Sequence, residues 1–172
     1  MFKRIQKIFF KKNITKNLKK RTMLGVNDSL TTIGFLVNEE DHVDFDIFFD
    51  ISNALGVQQK DTKIFSFLDI KTKTSTLIQN KIFCNHFNWR GEINNNNALD
   101  FLNINLDVLV SYYNTKNNYL NLMTSKSKAK FKVGFNGVDN RLFDLIINVD
   151  PQKNLDVKSE LLKYFKVLNK IN

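Results

Sequence analysis

Five short apolar runs alternate with stretches of helical periodicity, and this alternation constrains the fold more than any other feature of the chain. The apolar runs lie at residues 31–38, 62–70, 106–113, 131–135 and 142–149. Helical spacing of apolar residues is found at 44–56, 95–104, 116–129 and 156–171. Strands that are apolar along most of their length are typical of a parallel sheet covered by helices on both faces. The sequence therefore predicts an α/β fold, a three-layer Rossmann-like sandwich with a mostly parallel sheet of about five strands.

The pattern is less regular at residues 71–93, which fit either short strands or an excursion from the sheet. The chain has 172 residues, a length that suits one domain. Residues 22–30 include Gly25 as a helix breaker and have the composition of a linker. We therefore expect a single Rossmann-like domain over 31–172, preceded by this linker and by a separate segment at 1–21.

The first 21 residues, here called the basic head, hold nine basic residues and no acidic residue. Of the 26 basic residues in the chain, the other 17 are balanced by 17 acidic residues, so the formal charge of +9 comes entirely from the head. Apolar residues recur in the head at helical spacing and predict a basic amphipathic helix over residues 2–20. The residues predicted to bind an anionic partner are Lys3, Arg4, Lys7, Lys11, Lys12, Lys16, Lys19, Lys20 and Arg21.

Three uses of the basic head are open. A solvated charged tail needs no apolar residues, whereas the head contains Phe2, Ile5, Ile8, Phe9, Phe10, Ile14 and Leu18. Such residues suit packing on the rest of the chain, insertion into anionic lipid, or docking on RNA together with the basic residues. They wind around the helix instead of forming one broad stripe, which favours RNA or a ribonucleoprotein over a membrane surface. Because no aromatic platform is evident in the rest of the sequence, we expect charge and shape to lead any RNA binding.

Cysteine usage and hydropathy indicate the compartment. Cys84 is the only cysteine, so the chain has no intramolecular disulfide, which fits a reducing cytoplasm. The longest apolar run of the head, at residues 8–10, is too short for the core of a signal peptide. No apolar run approaches the ~20 residues that span a bilayer. We expect a cytoplasmic protein without a transmembrane segment, peripheral to ribosomes or to the inner face of the membrane.

The two phosphate-binding motifs usual on this scaffold are absent from the sequence. No GxGxxG follows the first predicted strand, and no GxxxxGK[ST] occurs. A nucleotide would therefore have to bind at the carboxyl edge of the sheet, where ligands of parallel α/β folds lie. The polar residues that follow the strands predict a ligand crevice formed by Asn38, Asp69, Ser111, Tyr112, Asn136 and Asp150. We predict no catalytic residue, no metal site and no cofactor.

Two smaller patterns have structural explanations. Cys84 and His86 lie two residues apart, but neither a thiolate with its base nor a set of metal ligands is indicated. The run SKSKAKFK places four lysines at alternate positions across a predicted helix end: Lys126, Lys128, Lys130 and Lys132. Because lysines near a helix carboxyl terminus complement the helix dipole, we expect these four to serve the dipole and solubility. The alternative is a second anion contact, to phosphate.

Part of the chain resembles the amino-terminal half of heptosyltransferase-type glycosyltransferases. The residues that carry this resemblance are the strand LDVLV at 106–110, the helix after it, and AKFKVGF at 129–135. The resemblance implies a site for a nucleotide or nucleotide sugar. The first strand lacks the Gly-rich turn of those enzymes, however, and their nucleotide-sugar-binding second half has no counterpart here. No catalytic residue is carried over.

The chain as a whole resembles an uncharacterised family of short Bacteroidota proteins with a basic amphipathic head. The matching segments are FNWRGEI at 87–93, LDVLVSYY at 106–113, SKAKFKVGF at 127–135 and DLIIN at 144–148. This resemblance implies no activity. Together with the charge distribution, it leads us to expect a non-enzymatic binding or adaptor module that docks through its head on RNA or a ribonucleoprotein. The alternatives are a degenerate glycosyltransferase-like nucleotide binder or enzyme, and a peripheral membrane protein.

Overall fold

The computed structural model describes residues 2–41, 44–70 and 79–172, with side chains from Arg4 onward. The strands are β1 Ile33–Asn38, β2 Thr62–Leu68, β3 Lys81–Phe83, β4 Val108–Tyr112, β5 Phe131–Phe135 and β6 Leu145–Ile147. The α-helices of the described residues are α1 Phe2–Lys20, α2 Asp46–Ala54, α3 Asn96–Asn103, α4 Asn118–Lys126 and α5 Asn154–Val167. The fold is the Rossmann-like α/β sandwich predicted from the sequence, preceded by the predicted helix.

The strands form one sheet in the order β3-β2-β1-β4-β5-β6, and every neighbouring pair is parallel. The chain moves outward from β1 to one edge and then returns to build the other half from β4. This reversal places the carboxyl ends of β1 and β4 side by side, the arrangement at which ligands of open α/β sheets bind. In register, Val37 of β1 lies beside Tyr112 of β4.

The sheet has one more strand than the sequence predicts. Strand β3 has three residues and pairs only with the last part of β2, from Ser66 to Leu68. A short helical turn follows at Cys84–His86, and an antiparallel bridge then joins Phe87 to Ile93. Residues 81–93 therefore include both a strand and an excursion from the sheet. Residues 71–78, the rest of the region that is hard to assign from sequence, lie outside the described residues.

Alternation along the strands divides the core into two layers. Phe35 of β1 packs with Phe48 of α2 and Phe165 of α5 on one face of the sheet. Its neighbour Leu36 points to the other face, where it packs among residues of α3 and α4 such as Phe101. Both faces are apolar because parallel strands joined by helical crossovers are covered on both sides.

Asparagine side chains fix the starts of two helices on the second face. Asn95 Oδ1 accepts a hydrogen bond of 2.9 Å from Ala98 N and caps α3. Asn117 Oδ1 accepts from Tyr119 N and Leu120 N and caps α4. The second cap fixes the start of α4, the helix beside which α1 packs.

The helix of the basic head packs on the second face as an outer layer. Phe10 is 1% exposed and its ring lies 5.3 Å from that of Tyr119 and 6.2 Å from that of Phe87. Ile14 is also buried in this cluster. At the end of the helix, both terminal nitrogens of Arg21 donate to the carboxylate of Asp144. One face of the head therefore packs on the rest of the chain.

The division of the chain into a head, a linker at residues 22–30 and a single domain from residue 31 stays a prediction.

Candidate anion-binding groove

The outer face of α1 carries a dense set of cations. From Lys11 to Lys20, every exposed side chain of the helix is a lysine apart from Thr15. The predicted anion-binding residues whose side chains are exposed are Arg4, Lys7, Lys11, Lys12, Lys16, Lys19 and Lys20. Arg21 differs because it is held by Asp144. The side chain of Lys3 lies outside the described part of the chain.

A groove of about 1260 Å³ runs along α1, between this helix, residues 90–93 and α4. The buried or half-buried side chains of Ile93, Leu99 and Leu122 contribute to its lining. The basic side chains that line it are Lys11, Lys12, Lys16, Lys19, Lys20, Arg90 and Lys126, against the single acidic residue Glu92. We call this the cationic groove. Among the described residues, none of its seven cations forms a salt bridge.

A second pocket of about 690 Å³ continues the cationic groove at the end of α1. The two share Asn17, Lys20 and Lys126, so the surface between them is continuous. The second pocket adds Lys128, whose side chain is exposed. The cationic surface therefore extends from residue 90, along the helix, to the turn that precedes β5.

A tight turn at residues 88–92 forms one end of the groove. Asn88 Oδ1 accepts hydrogen bonds of 2.9 Å from both Arg90 N and Glu92 N. Asn13 Nδ2 of α1 donates to Arg90 O at 2.6 Å. Gly91 has a φ of +83°, and a Cβ at this position would lie 3.0 Å from Asn13 Nδ2. A residue with a Cβ would be strained at this φ and would crowd Asn13, so glycine suits the close approach of the turn to the helix.

Trp89 lies at the tip of this turn, beside the groove. Its side chain is 37% exposed, and its ring meets that of Phe9 in a T-shaped contact with centroids 5.0 Å apart. The guanidinium carbon of Arg90 lies 4.7 Å from the centroid of the indole. This aromatic group is not among the residues predicted from the sequence, although Trp89 is the only tryptophan and lies next to an arginine in FNWRGEI.

The lysines near β5 lie in a different environment from the lysines of α1. The expectation that all four serve solubility is wrong, because two of them are not in solvent. Lys126 and Lys128 are exposed, as expected. Lys130, however, forms salt bridges of 2.8 Å with both Asp28 and Asp107. Lys132 is 1% exposed because it lies within β5, a strand that is covered on both faces.

The ammonium of Lys132 donates a hydrogen bond of 2.7 Å to Thr124 O, a carbonyl in the last turn of α4. This placement satisfies a carbonyl at the helix end and puts a cation at its negative pole. Burial lowers the pKa of Lys132 to about 7; the Arg21 guanidinium acts in the same direction, and the Asp144 carboxylate opposes both. Lys132 is thus a structural residue of the core.

Asp107, just before β4, binds residues on both sides of that strand through its carboxylate. Its carboxylate accepts hydrogen bonds from Thr31 and Thr32 and from Lys130 Nζ. Burial alone raises the pKa of Asp107, but these hydrogen bonds outweigh burial and hold the pKa well below its usual range. The carboxylate therefore remains ionised and serves the fold.

The residues of the predicted ligand crevice do not converge on one cavity in the described structure. Ser111 and Tyr112 are both fully buried and point to opposite faces of the sheet. Ser111 Oγ pairs with Thr124 Oγ1 at 2.9 Å, whereas the Tyr112 hydroxyl donates to Asn154 Oδ1 at 3.1 Å. Both side chains are therefore used within the core.

The other four crevice residues lie at separate strand ends. Asp69 and Asp150 are exposed, and Asn136 Nδ2 donates to Asn148 Oδ1. Asn38, at the end of β1, is 3% exposed and donates through Nδ2 to Asp41 at 2.7 Å. Its Oδ1 atom is buried and has no hydrogen-bond partner among the described residues. Among the crevice residues, Asn38 thus has a buried polar atom that the described part of the chain leaves without a hydrogen bond.

Cys84 and His86 have structural roles. The thiol of Cys84 donates to Ile70 O at 3.2 Å, and His86 Nδ1 accepts from Phe83 N. Burial lowers the pKa of His86. Within residues 2–41, 44–70 and 79–172, no three His, Cys, Asp or Glu side chains are grouped to hold a metal ion. The helices of the same residues include none with the length and apolar character needed to cross a bilayer.

Comparison with known proteins gives one match. The model of the Family of unknown function (DUF6913) matches residues 6–168. The matched region includes most of α1 as well as the whole sheet. No curated protein and no solved structure matches the chain.

Proposed function

We propose that this chain, which belongs to the family of unknown function DUF6913, is a cytoplasmic binding module that docks through its cationic groove on RNA or a ribonucleoprotein. The observation that carries the proposal is the division of α1 into two faces. Phe10, Ile14 and Arg21 hold the helix on the sheet. The lysines of the helix from Lys7 onward face solvent and form no salt bridge among the described residues. The module has no proposed reaction.

Unpaired cations at fixed positions suit a polyanion. A lysine that touches a phosphate releases a condensed counterion, and each such contact steepens the dependence of affinity on salt. The lysines of the groove recur along α1 at positions 11, 12, 16, 19 and 20, and this part of the helix is about 14 Å long. Several phosphates of one strand can therefore meet the groove at once.

The packing of α1 favours RNA over lipid. A helix that lies on a membrane inserts a broad apolar face into the acyl boundary. Here Phe10 and Ile14 are buried and Leu18 packs against the same cluster, so the apolar residues of the second half of the helix are unavailable. Of the described side chains of α1, those of Ile5 and Ile8 are the only exposed apolar ones. The membrane alternative therefore has little apolar surface to use.

The test is sedimentation of native lysate on a density gradient, with and without RNase and at low and high salt. The variant K12Q/K16Q/K19Q/K20Q removes four charges and leaves the buried face of α1 intact. Deleting the head would also remove Phe10 and Ile14 from the core. A matched control removes four exposed lysines elsewhere: Lys60, Lys116, Lys153 and Lys166.

We expect wild type and control to sediment with large RNase-sensitive particles at low salt, and the groove variant to remain free. If all three proteins sediment alike, the groove does not bind RNA and the proposal fails. Head-dependent flotation with anionic but not neutral vesicles would replace it with the membrane alternative.

A nucleotide or nucleotide sugar at the carboxyl edge of the sheet is the second candidate, as the local resemblance to heptosyltransferases implies. The Oδ1 atom of Asn38, which is buried beside the end of β4 and has no hydrogen-bond partner in the described part of the chain, supports it. A thermal-shift screen with nucleotides and nucleotide sugars tests it, since a ligand that binds the folded state raises the melting temperature with concentration. Stabilisation that N38A abolishes would favour this candidate.

The Bacteroidota origin remains a prediction from sequence.

A further inference from the structure

The turn at residues 88–92 has an exposed aromatic ring at its tip. Trp89 is 37% exposed although the same chain buries most of its phenylalanines. Its contact with Phe9 uses only part of the ring, and the guanidinium of Arg90 lies over the indole. An exposed aromatic ring beside an arginine has the chemistry that stacks on unpaired nucleic-acid bases.

The turn holds this ring in a fixed place. Asn88 closes the turn through its side chain, and Asn13 of α1 holds the carbonyl of Arg90. Phe10 and Leu122 also contact the turn closely, because each lies within 3.2 Å of a Cβ placed on Gly91. A pre-organised ring loses little conformational entropy when a base stacks on it.

The ring lies at the end of the cationic groove. Phe9 and Arg90, the two partners of Trp89, both line the groove, and Lys12 and Lys16 follow along the same helix. A strand whose phosphates follow these lysines therefore reaches Trp89 with one of its bases. In a duplex, the bases are stacked on one another and are unavailable to a side chain.

We infer that the cationic groove binds a single-stranded polynucleotide and that Trp89 stacks on one of its bases. This inference rests on the proposed function and specifies the ligand. The base takes the place of the Arg90 guanidinium on the indole. The guanidinium, which has no salt bridge among the described residues, then contacts a phosphate. Recognition is thus led by charge and completed by one stacking contact.

The experiment uses the full chain and the intrinsic fluorescence of Trp89, which reports this ring alone because the chain has one tryptophan. The probes are an oligoribonucleotide of about 12 residues, the DNA strand of the same sequence, and the matching RNA duplex. Binding of labelled probes is also measured by fluorescence anisotropy over a range of salt, for wild type, W89L, W89F and K16Q/K20Q.

We expect the single strands to quench Trp89 and to bind more tightly than the duplex. W89L should bind the single strand about 10-fold more weakly with an unchanged salt slope, and W89F should recover most of the affinity. K16Q/K20Q should instead flatten the salt slope. Equal binding of RNA and DNA strands also supports the inference, since stacking and charge are common to both.

Three results would overturn the inference. If W89L binds like wild type while K16Q/K20Q binds weakly, the groove is a nucleic-acid site without a stacking residue, and the proposed function survives. If the duplex binds as tightly as the single strand, the groove recognises charge alone. If no probe binds even at low salt, the proposed function fails together with the inference.

Discussion

The cations of α1 and those around β5 are chemically alike but are used differently. Around β5, Lys130 is paired with two carboxylates, and Lys132 is buried on a helix carbonyl. Along the outer face of α1, Lys12 and Lys16 are exposed and form no salt bridge among the described residues. Arg21 belongs to the first group although it directly follows α1, because Asp144 holds it.

The difference teaches how to separate structural charges from charges available to a partner. Desolvating a cation is favourable only if hydrogen bonds and counter-charges replace the lost water. A cation with such partners is part of the fold, and replacing it should change stability. An exposed cation without such partners keeps its water of hydration in the folded state. Replacing it should therefore weaken binding to a partner and leave the free energy of unfolding nearly unchanged. The following substitutions test this division, from the largest expected effect to the smallest.

The largest effect should come from the residue that attaches the cationic helix to the sheet. We expect F10A to lower the free energy of unfolding by about 3–5 kcal/mol, because it opens a cavity between α1, Phe87 and Tyr119. Urea denaturation measures the change. I8A on the same helix is the control, since Ile8 is 61% exposed and its loss should cost less than about 0.5 kcal/mol. Equal effects of the two would show that α1 is not docked.

The next effect should come from the paired cation at the end of the helix. We expect R21M to cost about 2–3 kcal/mol, because it leaves the Asp144 carboxylate, 10% exposed, without its counter-charge. K20M is the matched control at the neighbouring exposed position and should be nearly neutral. If K20M destabilised the protein as much as R21M in the same denaturation assay, the distinction between structural cations and cations available to a partner would be wrong.

Lys132 should make stability depend on pH. Its folded pKa is about 7 and its ordinary value is 10.5. Between these values the unfolded chain holds a proton that the folded chain has released, so the free energy of unfolding rises with pH across this range. K132M should flatten that rise, measured as the urea midpoint from pH 7 to 9.5. Burial also lowers the pKa of Lys170, so part of the slope should remain. An unchanged slope would show that Lys132 is charged in the fold.

The smallest effect on stability should come from the groove lysines. We expect K12Q/K16Q to change the free energy of unfolding by less than about 0.5 kcal/mol, because neither lysine has an acidic partner among the described residues. The same variant should weaken RNA binding with a shallower salt dependence. A loss of stability similar to that of R21M would place these lysines with the structural cations.

The sheet could be predicted from the sequence because its strands are short, apolar on both faces and separated by helical periodicity. Strand β3 could not be predicted from the sequence, because it has only three residues and forms by pairing with the end of β2. Lys132 was misassigned for a related reason. The alternation of lysine and apolar residues in KFKVGF resembles a half-exposed strand, but neighbouring elements cover both faces of β5.

The candidate site was predictable only in part. The charge of the head is visible in the sequence, whereas the division of α1 into a docked and an open face depends on contacts with residues about 80 to 125 positions away. Trp89 was missed because its place beside Phe9 requires the turn at 88–92 to pack on α1. Tertiary contacts of this kind leave no local pattern.

The salt bridge between Arg21 and Asp144 joins residues 123 positions apart, and this separation has a consequence for synthesis of the chain. Translation at 5–20 residues per second takes roughly 6–25 s to produce Asp144 after Arg21. For most of that interval the lysine-rich helix has been made, but Tyr119 and Asp144, which hold it in the folded chain, have not. The apolar face of α1 is therefore made well before the residues that cover it, so docking of the helix is a late step in the folding of this chain during synthesis.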